Sequence, residues 1–186
     1  MYDYVIIHGS FGNQYENWFP WLFKKLSESN NSVLMPQFPT PKNQSYDRWE
    51  RILMSYIDLI NEKTVFIAHS LGPSFVLDFV IKNKKKIGGF IAVAPFYSLI
   101  NIQEFDDVNE SFFINNLDIE KFTEYCPNRQ CIFSDNDPYV PQKLSESFAK
   151  NIVAEKNIIP GGKHLNAESG FEEFPQLLKI INKNDK

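Results

Sequence analysis

Thr64-Val65-Phe66-Ile67-Ala68-His69-Ser70-Leu71-Gly72 is the stretch on which the reading of this chain turns. Thr64 to Ala68 is a short apolar, β-rich run, and Leu71 to Lys82 has helical spacing. Ser70 therefore falls in a turn between a strand and a helix. Small-x-Ser-x-Gly in that setting is the pattern of a nucleophile elbow. The turn is so tight that the residues two before and two after the serine must be small. The serine is then held strained, with its hydroxyl raised, beside the positive N-terminal end of a helix. Ala68 stands where glycine is usual, a departure of one methyl group. Taken alone, the pentapeptide could equally be a tight helix start.

Working outward, short β-rich runs alternate with longer amphipathic ones. Strands are expected at Tyr4 to His8, Ser32 to Met35, Thr64 to Ala68, Gly89 to Ala94, Gln130 to Ser134 and, more weakly, Ala154 to Ile159. Helices are expected at Trp18 to Ser29, Tyr46 to Ile60, Leu71 to Lys82, Ile119 to Tyr125, Pro141 to Asn151 and Phe171 to Asn182. Alternation of this kind, with continuous apolar strands, implies a sheet buried on both faces. The expected fold is a three-layer α/β/α sandwich around a mostly parallel sheet of about six strands. It should form a single domain over residues 1–186. In such folds functional residues gather beyond the carboxyl ends of the strands.

Each strand end was read for chemistry. After the first strand, His8-Gly9-Ser10-Phe11-Gly12 lacks the spacing of a dinucleotide or phosphate loop. It reads as a loop lending a backbone N–H to an oxyanion hole, with Ser10 as donor, Phe11 as the alternative, and Leu71 as the second donor. A plain tight turn is the competing reading. After the fifth strand, Ser134-Asp135-Asn136-Asp137-Pro138 is either an Asp/Asn/Pro turn or the source of a triad acid; it does not match a calcium loop. After the sixth strand, Gly161-Gly162-Lys163-His164 places a histidine on a free loop. Of three histidines, His8 reads as structural, and His69 should turn away from its neighbour Ser70. His164 completes the chain order Ser, Asp, His.

Composition narrows the function classes. The chain has 186 residues, 43% of them hydrophobic and 23% charged, so disorder, collagen and coiled coil are excluded. A net charge of −4 and a pI near 5.4 disfavour nucleic acid as a partner. The run Lys82 to Lys86 reads as a solvated helix end. Cys126 and Cys131 fit no zinc spacing and are expected as free thiols in a reducing compartment. With no signal peptide in view and no apolar run of membrane length, a cytoplasmic protein that does not bind membranes is expected.

Together these residues resemble the α/β-hydrolase superfamily, and within it the small single-domain branch of retinoblastoma-binding protein 9 and YdeN-like serine hydrolases. The resemblance rests on the H-G loop, Glu16-Asn17-Trp18-Phe19-Pro20-Trp21, H-S-L-G at 69–72, D-P-Y-V-P at 137–141 and G-G-K-H at 161–164. It implies Ser70 as nucleophile, His164 as general base and acid, and Asp137, rather than Asp135, as the orienting acid. It also implies a carboxylesterase-like serine hydrolase acting on small ester or acyl substrates, with neither metal nor organic cofactor.

The connection from Pro95 to Arg129 must supply one helix, so it leaves room for a short flap and for no large cap domain. Phe11, Phe96, Tyr97 and Tyr139 are the candidate substrate-binding residues. The aromatics of the connection either line a pocket or simply pack over the sheet. Two other functions compete: a peptidase or amidase with the same triad, and a hydrolase fold used only as a binding module.

Overall fold

The computed structural model describes residues 1–113 and 118–184. Its centre is a six-stranded sheet in the order β2-β1-β3-β4-β5-β6. The strands are β1 (Tyr4–Ile7), β2 (Val33–Leu34), β3 (Val65–His69), β4 (Gly89–Val93), β5 (Asn128–Ser134) and β6 (Glu155–Ile159). All five pairings are parallel, so the expected "mostly parallel" sheet is wholly so among the described residues.

Period-two alternation sorts the strand residues into two cores. Val5, Ile7, Phe66, Ala68, Phe90, Ala92, Cys131 and Phe133 face one layer of helices. That layer holds α2 (Tyr46–Met54), α3 (Gly72–Lys82), α5 (Ile119–Tyr125) and α6 (Gln142–Asn151). Ile6, Ile67, Ile91, Val93 and Ile132 face the other layer, α1 (Phe19–Glu28) and α7 (Pro175–Asn184). Strands buried on both faces are what their continuous apolar sequences require.

Three elements depart from the sequence reading. Helix α2 ends at Met54 rather than Ile60, because the Ser55 hydroxyl donates back to the Arg51 carbonyl and the chain tightens into a 3-10 turn at Ile57–Leu59. Helix α7 starts at Pro175 rather than Phe171, since proline suits a first turn and not an interior. An unforeseen helix, α4 (Gln103–Asn109), follows β4 and runs into a 3-10 turn at Glu110–Phe112. The expected flap over 95–118 is therefore partly helical, and its residues 114–117 lie outside the described residues.

The strand order explains where a site can form. From β1 the chain moves to β2 on one side and then returns to β3 on the other. The loops leaving β1 and β3 thus diverge and open a crevice at the carboxyl edge of the sheet. The ends of β5 and β6 reach the same edge.

Candidate active site

The turn between β3 and α3 is tight. Ser70 has φ +59°, a left-handed conformation that is unfavourable for a residue with a Cβ. Its N–H is held by the Val93 carbonyl at 2.9 Å, and α3 begins two residues later. Gly72 lies against β1: a Cβ there would meet the carbonyl oxygens of Ile7 and His8 at 3.0 Å. Ala68 lies on β3 between β1 and β4 with its methyl fully buried in the core facing α3, and the left-handed serine persists two residues on.

The loop after β1 is pressed onto the elbow. A Cβ on Gly9 would stand 2.8 Å from Ser70 Cβ and 3.3 Å from Ser70 Oγ, so only glycine lets this backbone reach the serine. A polar cluster anchors the loop. Ser10 Oγ donates to Asn109 Oδ1 at 2.5 Å, and Gln44 Nε2 donates to Ser10 Oγ at 3.1 Å. Phe11 N–H donates to Thr40 Oγ1 at 2.6 Å and is thereby taken up. The N–H groups of Ser10 and Leu71 meet no protein acceptor among the described residues. Of the two loop donors weighed from sequence, Ser10 is thus the one left available.

At the other end, His164 Nδ1 lies 2.8 Å from Asp137 Oδ2, with both side chains buried. Asp137 Oδ1 accepts the N–H groups of Tyr139 at 2.9 Å and Val140 at 3.0 Å. A carboxylate that only accepts places the imidazole proton on Nδ1 and leaves the Nε2 lone pair open. Asp135, the alternative acid, instead accepts the N–H of Gly161 at 2.8 Å. His8 is structural, as expected. Its Nδ1 donates to the Gly9 carbonyl, its Nε2 accepts from Phe38 N–H, and burial holds its pKa below the usual value.

Ser70 and His164 line one open cleft of roughly 630 Å3. Among the described residues no hydrogen bond joins Ser70 Oγ to the imidazole; both groups face the same space. Phe11 and Tyr139 line this cleft, and the Tyr139 ring stands edge-on to His164 with centroids 5.2 Å apart.

Phe96 and Tyr97 lie elsewhere, which corrects their assignment to substrate. Phe96 is buried in the core against Phe113, and the Tyr97 hydroxyl donates to Asp78 Oδ1 at 2.9 Å. Phe112 and Phe122 are likewise fully buried, so these aromatics of the connection pack over the sheet. The cleft wall is completed by Phe105 on α4, one of the aromatics of the connection, and by residues the sequence does not single out as lining: Tyr15 and the carboxylates Glu16, Glu168 and Glu172. No local pattern marks them, because they converge only through the fold.

Among the described residues no group of three His, Cys, Asp or Glu side chains converges as a metal site. Cys126 and Cys131 are separate buried free thiols, and burial pushes the Cys126 thiol up to about 12. Among the described residues no helix is long and apolar enough to cross a membrane.

A family model described as serine hydrolase matches residues 4–183. YdeN of Bacillus subtilis (strain 168) is 30% identical over 179 residues, covering 95% of this chain and 92% of its own. The crystal structure of the Bacillus subtilis ydeN gene product superposes with a TM-score of 0.90 at 27% identity, covering 97% of each chain. Polyneuridine aldehyde esterase shares the fold, with a TM-score of 0.71 at 14% identity over 98% of both chains.

Proposed function

The chain belongs to the serine hydrolase family, and on that premise we propose that it hydrolyses carboxylic esters of small or short acyl groups through an acyl-enzyme. Ser70 is the nucleophile, His164 the proton carrier and Asp137 the group that orients it. The Ser10 and Leu71 N–H groups receive the oxyanion. The observation that carries the reading is the buried Asp137–His164 pair at 2.8 Å, facing the same cleft as a left-handed Ser70.

The chemistry follows from these positions. Ser70 Oγ bonds to the substrate carbonyl carbon while its proton passes to His164 Nε2. The carbonyl π electrons move onto oxygen, which the two N–H groups and the positive end of α3 stabilise. The tetrahedral species collapses, and the leaving alkoxide takes the proton from His164. A water then repeats the sequence on the acyl-enzyme, releases the acid and restores Ser70. Asp137 stabilises the imidazolium that forms twice in each cycle.

An ester is preferred over an amide because an alkoxide leaves more readily than an amine, and the carboxylates that line the cleft, Glu16, Glu168 and Glu172, all stand exposed to solvent. The fold shared with polyneuridine aldehyde esterase agrees with this choice.

The test is steady-state hydrolysis of p-nitrophenyl acetate beside the matching anilide, for wild type and Ser70→Ala. We expect ester turnover that is lost in the variant. Faster anilide than ester hydrolysis would favour an amidase. Absent turnover on every acyl substrate would leave the binding-module reading standing.

A further inference from the structure

The loop that presents His164 is gripped residue by residue. Three successive backbone carbonyls each receive a side-chain donor from a different part of the fold. Ser134 Oγ, at the end of β5, donates to Lys163 O. His69 Nε2, at the end of β3, donates to His164 O at 2.9 Å. Trp18 Nε1, just before α1, donates to Leu165 O at 3.0 Å. The segment so held is strained: Lys163 has φ +48° and Leu165 φ +52°, left-handed on both sides of the histidine. A conformation of this kind persists only where its surroundings over-determine it.

Among the three donors His69 has a special place in the chain, since it directly precedes Ser70. Its bond to His164 O therefore ties the peptide of the nucleophile to the peptide of the base. We propose that His69 is a positioning residue, whose Nε2–H sets the place of His164 relative to Ser70. The proposal rests on the reading of Ser70 as nucleophile and His164 as base.

The chemistry of the residue supports the assignment. A carbonyl can only accept, so His69 Nε2 carries a proton and donates it. The ring is buried against Trp18 and Phe19, with its centroid 4.8 Å from that of His164. Burial first, and then His164, push its pKa down to about 3, against the smaller raising effects of the bond to His164 O and of the Asp137 carboxylate. The bond therefore does not switch over the ordinary pH range. A neutral ring also avoids opposing the positive charge that His164 must carry during turnover. An apolar ring would pack in this place without the cost of burying two ring nitrogens, so the donated bond is what distinguishes histidine here from phenylalanine.

The experiment compares His69→Phe, His69→Gln and His69→Asn in the full chain. Glutamine carries its amide nitrogen as many bonds from the backbone as histidine carries Nε2; asparagine falls one bond short and phenylalanine has no donor. Misplacing a catalytic group by about 1 Å costs on the order of 100-fold, so His69→Phe and His69→Asn should lower kcat about 10- to 100-fold with KM within about twofold. His69→Gln should recover most of that loss.

Independently of activity, proton NMR should show the His164 Nδ1–H resonance displaced in the Phe and Asn variants and retained in the Gln variant. Unchanged kcat and resonance in His69→Phe would overturn the proposal. So would a Gln variant no better than Phe, or losses that follow thermal stability across all three. Should wild type neither turn over esters nor react at Ser70, the catalytic reading falls, and the resonance series still decides whether His69 places His164.

Discussion

The floor and the wall of the cleft are built in opposite ways. On the floor, His164 is 7% exposed, and its neighbours on either side are bonded through their carbonyls to β5 and to Trp18. Consecutive side chains Asp135, Asn136 and Asp137 accept from Gly161 N–H, Lys163 N–H and His164 Nδ1, so the two loops are fastened along their length. On the wall, Phe11 is 36% exposed and Tyr15 77% exposed, and Phe105 meets the Phe11 ring edge-on and the Tyr139 ring at a tilt. A network of directional bonds fixes the groups proposed to move protons, where small displacements would be costly. Apolar contact is enough to accommodate an acyl chain and tolerates change. The difference teaches that reaction and selectivity should respond separately to mutation.

The largest effect expected lies on the floor. Asp137→Asn should reduce kcat by a factor near ~10⁴, the size found when a triad aspartate becomes asparagine in a serine protease and the histidine takes the wrong tautomer. Asp135→Asn keeps an acceptor for Gly161 N–H and should cost at most about tenfold, as a slight misplacement would. Steady-state kinetics of the two variants checks this. Equal losses would break the distinction between the acid that touches His164 and the one that only holds the turn.

The floor was largely legible in the sequence, and the wall was not, for a physical reason. Ser70, Asp137 and His164 sit in turns whose geometry depends on local residue types: small neighbours, an Asp-Pro turn, paired glycines. The inner strands were legible because full burial leaves an apolar run, whereas β2 pairs over only two residues, Val33 and Leu34, and the edge strand β6 holds no fully buried residue. Helix α4 escaped notice because Gln103–Asn109 carries few apolar residues and no side-chain cap. Phe96 and Tyr97 were misplaced because an aromatic has the same local signature under a sheet as beside a substrate. The bond from His69 to His164 spans 95 residues and leaves no trace in local sequence.

A buried acid away from the cleft sharpens the comparison. Asp78 on α3 is 2% exposed; burial raises its carboxyl to about 8, while Tyr97 and Lys82 pull it the other way. The folded protein therefore holds a proton that the unfolded chain releases near 3.8. This stability is fully present below the unfolded value and is lost as pH rises through the window up to about 8. Asp78→Asn should flatten that fall and stabilise the protein at pH 8 by on the order of a few kcal/mol. Its kcat should match wild type. Denaturant unfolding at several pH values tests the claim, and a variant that loses activity without losing stability would show that this region is coupled to the floor.

The smallest effect belongs to the wall. Each methylene of an acyl chain buried against Phe105, Phe11 and Tyr139 should add up to ~0.8 kcal/mol until the space fills. Along a series of p-nitrophenyl esters kcat/KM should rise over the shortest chains and collapse near about eight to ten carbons. Phe105→Ala should shift that preference and raise KM about three- to tenfold, with kcat nearly unchanged, as the loss of one aromatic contact implies. Peak activity on long-chain esters, or a jump above the critical micelle concentration, would show that the connection carrying α4 opens as a lid.

The proposed reaction begins at one hydroxyl. A fluorophosphonate probe should add to wild-type protein once, with intact-mass analysis giving a single adduct and peptide mapping placing it on Ser70. Ser70→Ala should stay unmodified under the same conditions. Wild-type protein that remains unlabelled, or a variant labelled to the same extent, would contradict the assignment of Ser70 as the nucleophile.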